Sequence, residues 1–291
     1  MSTVALILVL SSSVSHAIWN LFLKRAGNKE AFMFLSQISI SVLFAPLSIY
    51  MFFRNPVDSI GWVFVVGTGI LHVFYFVFLC RAYKYGELSE VYPVARGAGP
   101  ALTPLLGYFV LGEDISIQGS LGILSVILGV ILVYWTGSFS KILRDPLNTL
   151  KRTDMKYALA TGATIAMYSI WDKVGVSHVG GLLYVYLMCL GTTILLVPYM
   201  KYTSNAASLK KEWSLNWKSV LSVGTLIYVS YGLVLLALEV SRVSYVWPIR
   251  ESGILVGLAL GYFVLKEPLQ RTSSVGGFFI VTGVVTIATS A

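Results

Sequence analysis

The sequence predicts an all-α integral membrane protein, with ten transmembrane helices arranged as two inverted five-helix repeats. Three observations predict it. Of 291 residues 56% are apolar and only 12% are charged, and the mean hydropathy of +0.79 lies far above that of soluble domains. The apolar residues gather into runs of about 20, the length that crosses a bilayer as helix. The segment GYFVLGE at 107–113 returns as GYFVLKE at 261–267, so six of seven residues recur at an offset of 154.

The apolar runs place spans at 4–23, 31–53, 60–81, 88–110 and 115–136, and then at 155–174, 180–200, 217–238, 244–265 and 272–290. The runs are too long, and too little alternating, for a transmembrane barrel. The longest polar stretches, about 137–154 and 201–216, leave no room for a large soluble domain. Residues 1–137 form the first repeat, 138–154 a cytoplasmic linker and 155–291 the second repeat. Five spans per repeat is an odd number, so the halves are expected upside down relative to each other, as in many secondary transporters.

Span 1 has no basic segment before it and no small-residue cleavage site, so it reads as a permanent helix rather than a signal peptide. It carries His16, Trp19 and Asn20, three and four residues apart and therefore on one helix face. Span 6 repeats that spacing with Tyr168, Trp171 and Asp172. Asn20 and Asp172 are placed towards the ends of their helices, Asp172 beside Lys173 as a candidate interfacial pair. Span 3 brings His72 and Tyr75, and span 8 brings Tyr228 and Tyr231.

Spans 4 and 9 are the irregular ones. Tyr92-Pro93-Val94 in span 4 matches Trp247-Pro248-Ile249 in span 9, and Gly97 and Gly253 follow. Proline removes a backbone donor and crowds the preceding turn, so Pro93, Gly97, Pro248 and Gly253 are candidate hinges. Measured from the GYFVL block, Arg96 falls opposite Arg250; measured from the proline, it falls opposite Glu251. A charge at mid-bilayer costs about 2.5–3.5 kcal/mol on insertion scales, so Arg96, Arg250 and Glu251 would together cost roughly 8–10 kcal/mol if left unpaired. A pairing of Arg96 with Glu251 is expected. One carboxylate does not neutralise two guanidiniums, and an anionic group of a solute would complete the balance.

Glu113 and Glu267 fall in the turns after spans 4 and 9 and are expected to cap the helices that follow them, spans 5 and 10. The glycines of spans 5 and 10, among them Gly119, Gly122, Gly129, Gly276, Gly277 and Gly283, are expected to permit close helix packing. Tyr50, Tyr134, Trp135, Tyr199, Trp213 and Trp217 fit an interfacial aromatic belt. The two cysteines, Cys80 and Cys189, lie on separate spans and suggest neither a disulfide nor a metal site.

The net charge of +8 reflects topology rather than nucleic-acid binding. Sixteen Lys and Arg residues cluster at the loops after spans 1, 3, 5, 7 and 9, against three (Arg54, Lys173 and Arg242) at the other set. The positive-inside rule then makes the odd-numbered loops cytoplasmic and puts both termini on the far side of a plasma membrane. The sequence contains no GxSxG, HExxH, Asp-rich pair or phosphate-binding GxxxxGK, so neither a recognisable enzyme nor an ATP-driven pump is indicated, and no cofactor.

With these features the chain resembles the drug/metabolite transporter superfamily, in particular its ten-span EamA-type members. The resemblance rests on the duplicated five-span unit, HAIWN at 16–20, PVARGAGP at 93–100, the blocks ending in Glu113 and Glu267, and the glycine-rich span after each. Lys266 departs from the pattern where Gly112 stands in the first half. The resemblance implies a solute carrier, monomeric or homodimeric, with a central cavity lined by spans 1, 3, 4, 6, 8 and 9.

The sequence alone favours a secondary transporter of a small polar solute bearing a carboxylate or phosphonate, working by alternating access with a proton as candidate coupling ion. Arg96 and Arg250 are the candidate anion-binding groups and Glu251 their partner and candidate proton carrier. His16, Trp19, Asn20, His72, Tyr75, Tyr92, Tyr168, Trp171, Tyr228, Tyr231 and Trp247 are candidate cavity walls. The alternatives are a carrier of organic cations, held by Glu251, Asp172 and an aromatic cage, and a non-transporting receptor or assembly factor with a sealed core.

Overall fold

The computed structural model describes residues 1–86, 88–134, 145–266 and 268–290. The middle of the expected linker, with Lys141 and Arg144, lies outside them, as do Trp135, Glu267 and the side chains of Tyr92 and Pro93. Among the described residues every regular element is helical.

The first half contains α1 (Thr3–Arg25), α2 (Lys29–Leu43), α3 (Ala45–Arg54), α4 (Ser59–Tyr85), α5 (Leu88–Leu111) and α6 (Ile117–Val133). A short α7 (Pro146–Lys151) precedes the second half. That half contains α8 (Thr153–Gly175), α9 (Gly181–Thr203), α10 (Ala206–Val240), α11 (Val243–Arg250), α12 (Gly253–Leu265) and α13 (Arg271–Thr289).

Six spans are apolar and long enough to cross a membrane, with α11 and α12 taken as one, and the bent pair α2–α3 makes a seventh. α5, α6 and α8 complete the ten positions. α6 is apolar but only 17 residues long. α5 and α8 carry charge inside, Arg96 in one and Asp172 in the other. The second span, expected to be continuous, bends by 51° at Phe44, where Pro46 can only begin a new helix.

Packing relates the two halves by a pseudo-two-fold axis. Span 1 (α1) packs on span 8 (α10), as span 6 (α8) packs on span 3 (α4). Span 9 packs on span 1, as span 4 packs on span 6, and span 2 packs on span 8, as span 7 packs on span 3. Spans 5 and 10 pack on each other, so the axis passes between them.

Sequence explains these contacts. Where α1 crosses α10, Ser12 and Ser230 exchange hydroxyl-to-carbonyl hydrogen bonds of 2.7 and 3.0 Å. In the equivalent crossing of α8 and α4, the Trp171 ring lies against Gly67, where a Cβ would meet it at 2.3 Å, and its Nε1 donates to the Phe64 carbonyl. Small polar residues and glycine let helices approach where lipid supplies no hydrophobic drive between them. Large apolar side chains such as Phe53, Phe109, Phe263 and Phe278 face outwards.

The repeated block ends both its helices in the same way. Gly112 has φ 65° and Lys266 has φ 58°, so both positions adopt the left-handed conformation that closes a helix. The departure from the repeat is therefore one of residue type, not of backbone shape. Glu113 does not cap the helix that follows it. Its carboxylate accepts from the backbone N–H of Val243 (2.8 Å) and of Ser244 (2.9 Å), so it caps α11 of the other half. α6 is capped instead by Ser116, whose hydroxyl accepts from Gly119 N–H. The fold brings the start of span 9 to the end of span 4, a proximity invisible in sequence order.

Candidate functional site

Span 9 breaks where proline and glycine suggested. α11 ends at Arg250, and Glu251 and Ser252 turn tightly before α12. Their amides, and those of Ile254 and Leu255, bond to carbonyls three residues back, so the break tightens into a 3₁₀ turn rather than unwinding. The Arg250 carbonyl takes a hydrogen bond from the Ser13 hydroxyl of α1 at 3.0 Å. Gly253 permits the approach, since a Cβ there would lie 3.1 Å from the Ser13 carbonyl oxygen.

Span 4 differs from expectation. α5 runs unbroken through Pro93 and Gly97. Of spans 4 and 9, only span 9 is broken, and hydroxyls within α5 help to hold it, as where Thr103 donates to the Gly99 carbonyl at 2.9 Å.

Arg250 at the break and Arg96 of α5 both approach α1, and Glu251 lies beside Arg96. Arg250 Nη2 lies 3.4 Å from His16 Nδ1, and Arg96 Nη2 lies 3.2 Å from His16 Nε2. One imidazole thus stands between two guanidiniums, one from each half. Arg96 Nη2 also lies 3.9 Å from Glu251 Oε1, the pairing expected from the sequence.

Polar atoms around the break lack partners among the described residues. Arg250 Nε, Glu251 Oε2, Ser252 Oγ and Trp247 Nε1 are all buried and accept or donate no hydrogen bond. Buried polar groups are ordinarily paired, and these four unpartnered atoms fall within six residues.

Aromatic rings wall the same place. The Arg250 guanidinium sits 4.7 Å over the Trp247 ring and 5.6 Å over Tyr231. Tyr168 packs edge-on to Trp247 and stacks on His72, with centroids 5.7 and 4.3 Å apart. Tyr75 meets Tyr168 at 6.0 Å, and Trp19 meets His16 at 4.8 Å. His72 Nδ1 lies 2.9 Å from the Thr68 carbonyl, which can only accept, so the proton is on Nδ1.

The structure thus brings together His16, His72, Tyr75, Arg96, Tyr168, Tyr231, Trp247, Arg250 and Glu251. Other expected wall residues have different partners. Trp171 is a packing peg between α8 and α4. Tyr228 stacks on Phe44 at 3.8 Å and donates to the Leu182 carbonyl, away from the charges. Asn20 bonds back to the His16 carbonyl at 2.7 Å.

Asp172 is not at an interface and does not pair with Lys173. It is fully buried and accepts from Tyr184 Oη (2.9 Å) and Tyr231 Oη (2.5 Å). Lys173 donates to the Leu238 and Ser241 carbonyls instead. Sequence reading missed Tyr184 altogether, and also Ser13, although Ser13 stands one helical turn before His16 on the same face.

The EamA-like transporter family model matches this chain twice, over residues 3–135 and again over 154–289. The chain belongs to the EamA-like transporter family. It is therefore a multi-pass membrane protein of that family. An uncharacterised transporter of Methanothermobacter thermautotrophicus is 25% identical over 190 residues, which is 62% of this chain and 51% of that one. The multidrug resistance protein EbrB of Bacillus subtilis is 40% identical over 58 residues, 20% of this chain and 50% of EbrB. The chain thus spans about half the length of the curated relatives it matches. A protein crystal structure shares the EamA fold, with a TM-score of 0.75 at 15% identity over 99% of this chain and 97% of that one.

Proposed function

We propose that this EamA transporter carries a small polar solute bearing a carboxylate or phosphonate by alternating access, with a proton as coupling ion. The observation that carries the reading is the convergence of Arg96 and Arg250, equivalent residues of the two halves, on a site that also holds four unpartnered polar atoms. Two guanidiniums against the Glu251 carboxylate leave a positive charge for an oxyanion to balance. Arginine's planar fork suits two-oxygen capture. The site lies where spans of both halves meet, so rocking one half against the other would open it to either side. The plasma membrane, with both termini on the non-cytoplasmic face, is the proposed setting.

The organic-cation alternative loses its cage: the face of Trp247 that would receive a cation already carries the Arg250 guanidinium. The drug-resistance name of EbrB attaches to a fifth of the chain and does not change that balance. A sealed receptor core is disfavoured by the four unpartnered polar atoms.

The test is a thermal-shift panel on the purified protein, comparing amino acids, other carboxylates, phosphonates and sugar phosphates with decarboxylated amines. A ligand at a hundred times its Kd stabilises the folded state by about 2.7 kcal/mol. Oxyanions are expected to raise Tm and the amines are not; stabilisation by the amines alone would overturn the reading.

A further inference from the structure

We propose that Asp172 carries the coupling proton, and that its protonation leaves the central site with the one positive charge that an oxyanion balances. The proposal deepens the oxyanion reading above and rests on it for its transport meaning.

Charge supplies the first reason. The Arg250 guanidinium stands 5.6 Å over the Tyr231 ring, and the hydroxyl of that ring donates to Asp172 Oδ2 at 2.5 Å. One ring therefore joins the anion site to a second carboxylate. With Glu251 and Asp172 both ionised, two acids offset Arg96 and Arg250, and no charge is left for a solute to neutralise. With a proton on Asp172, one positive charge remains. Proton and oxyanion thus bind together, each favouring the other.

Hydrogen bonding supplies the second. Asp172 is fully buried, and its two oxygens are held by neutral hydroxyls, Tyr184 at 2.9 Å and Tyr231 at 2.5 Å. A buried charge held by neutral groups is costly, and a proton removes that cost. Tyr184 serves both forms of the acid. Its Oη lies 2.9 Å from Asp172 Oδ1 and 3.2 Å from the Phe64 carbonyl, two acceptors for one hydroxyl proton. Beside the carboxylate, Tyr184 donates to Asp172. Beside the acid, it accepts from Asp172 and donates to Phe64. The ring itself stays in place against Gly175, where a Cβ would lie 2.5 Å from its oxygen. The proton comes from water and stays on Oδ1; no bond other than O–H forms or breaks.

The groups facing Asp172 come from five helices. α4 brings His72 and the Thr68 hydroxyl, α9 brings Tyr184 and α10 brings Tyr231. α5 and α11 bring Arg96 and Arg250, which stand at the anion site. His72 keeps its proton on Nδ1, against the Thr68 carbonyl. On its own helix, Lys173 is committed to the Leu238 and Ser241 carbonyls, and Glu239 of α10 to the Gly181 amide. α7 meets the opposite end of α8.

The experiment is infrared difference spectroscopy of the full-length protein, titrated between about pH 5 and 9 without solute. The wild type is expected to show the carbonyl stretch of a protonated acid at low pH and to lose it as the pH rises, and Asp172→Asn is expected to lack that band. Tyr184→Phe keeps the carboxyl and assigns the band if Asp172→Asn does not fold. There the band is expected to shift in frequency and to persist to higher pH, because the ionised form loses a charge-assisted donor. A wild type without a pH-dependent acid band, or a band that the folded variant leaves unaltered, overturns the assignment. A proton held on His72 instead gives the first of these results.

A second arm measures acetate binding by calorimetry over about pH 6–9. Affinity is expected to fall above the Asp172 midpoint by up to about tenfold per pH unit, and by about 5–150-fold in all. Asp172→Asn is expected to hold the low-pH affinity of the wild type throughout. Acetate binding to the wild type that ignores pH, or that depends on pH equally in Asp172→Asn, overturns the coupling and leaves oxyanion capture standing. If neither acetate nor any oxyanion of the thermal-shift panel binds, the capture reading fails, while the infrared arm still decides where the proton sits.

Discussion

Gly129 of α6 and Gly276 of α13 meet backbone to backbone: a Cβ on either would come within 2.6 Å of the other's carbonyl oxygen. Gly122 and Gly283 meet in the same way one helical repeat along. Gly122 and Gly276 are related by the offset of 154 that relates the two GYFVL blocks, as are Gly129 and Gly283. Each glycine therefore touches the counterpart of its neighbour, and the pseudo-two-fold axis runs through the contact. Ser125 and Phe279, also one offset apart, are joined across it by a hydrogen bond of 2.8 Å.

Adding a methyl group here forces backbone apart rather than a flexible side chain. Gly129→Ala and Gly276→Ala are each expected to destabilise the protein by about 1–3 kcal/mol, the range for overpacked interiors. The double variant should cost less than the sum, because both methyls open one contact. Thermal melts of the three purified variants check this.

Glu113 staples the end of one half to the start of span 9 in the other. Glu113→Ala removes the acceptor for two backbone amides and the Ser244 hydroxyl, and an expected cost of about 1–2 kcal/mol follows from loss of an acidic cap. Ser116→Ala, which removes the hydroxyl that caps α6, is expected to cost about 1 kcal/mol. Equal destabilisation by Glu113→Ala and an exposed control such as Lys210→Ala would contradict the capping role.

Lys266 holds a left-handed conformation that costs a non-glycine residue about 1–2 kcal/mol. Lys266→Gly is therefore expected to raise stability by about 1 kcal/mol. Gly112→Ala is expected to lower it by a similar amount, with no steric contribution, since a Cβ there meets nothing within 4 Å. Paired thermal melts decide both signs.

The sequence made the fold and the charged centre legible, because both depend on repetition. The offset of 154 aligned Arg96 with Arg250 before any contact was known, and Pro248 with Gly253 marked the break in span 9. What stayed hidden depends on which helices become neighbours. Glu113 was assigned to the following helix because nothing local reveals that Val243 folds back onto it. Trp171 and Tyr228 carry the same sequence signal as Tyr168 and Tyr231; only packing separates a peg in a glycine notch from a ring beside an arginine. Asp172 resembled an interfacial residue until Tyr184, on another span, supplied its second hydroxyl. Pro93 and Gly97 suggested a break that α5 does not make.

Capture of an oxyanion jointly by Arg96 and Arg250 is the central claim, and transport by the two single variants tests it most directly. The measurement is uptake into proteoliposomes of whichever solute gives the largest thermal shift, by wild type, Arg96→Ala and Arg250→Ala, each first shown to be folded. Truncating one partner of a buried charged contact costs about 2–5 kcal/mol, so each variant is expected to lose at least about thirtyfold in transport efficiency. Arg96→Lys and Arg250→Lys are expected to fall between, since an ammonium keeps the charge and loses the fork. Wild-type uptake by either alanine variant would contradict the account.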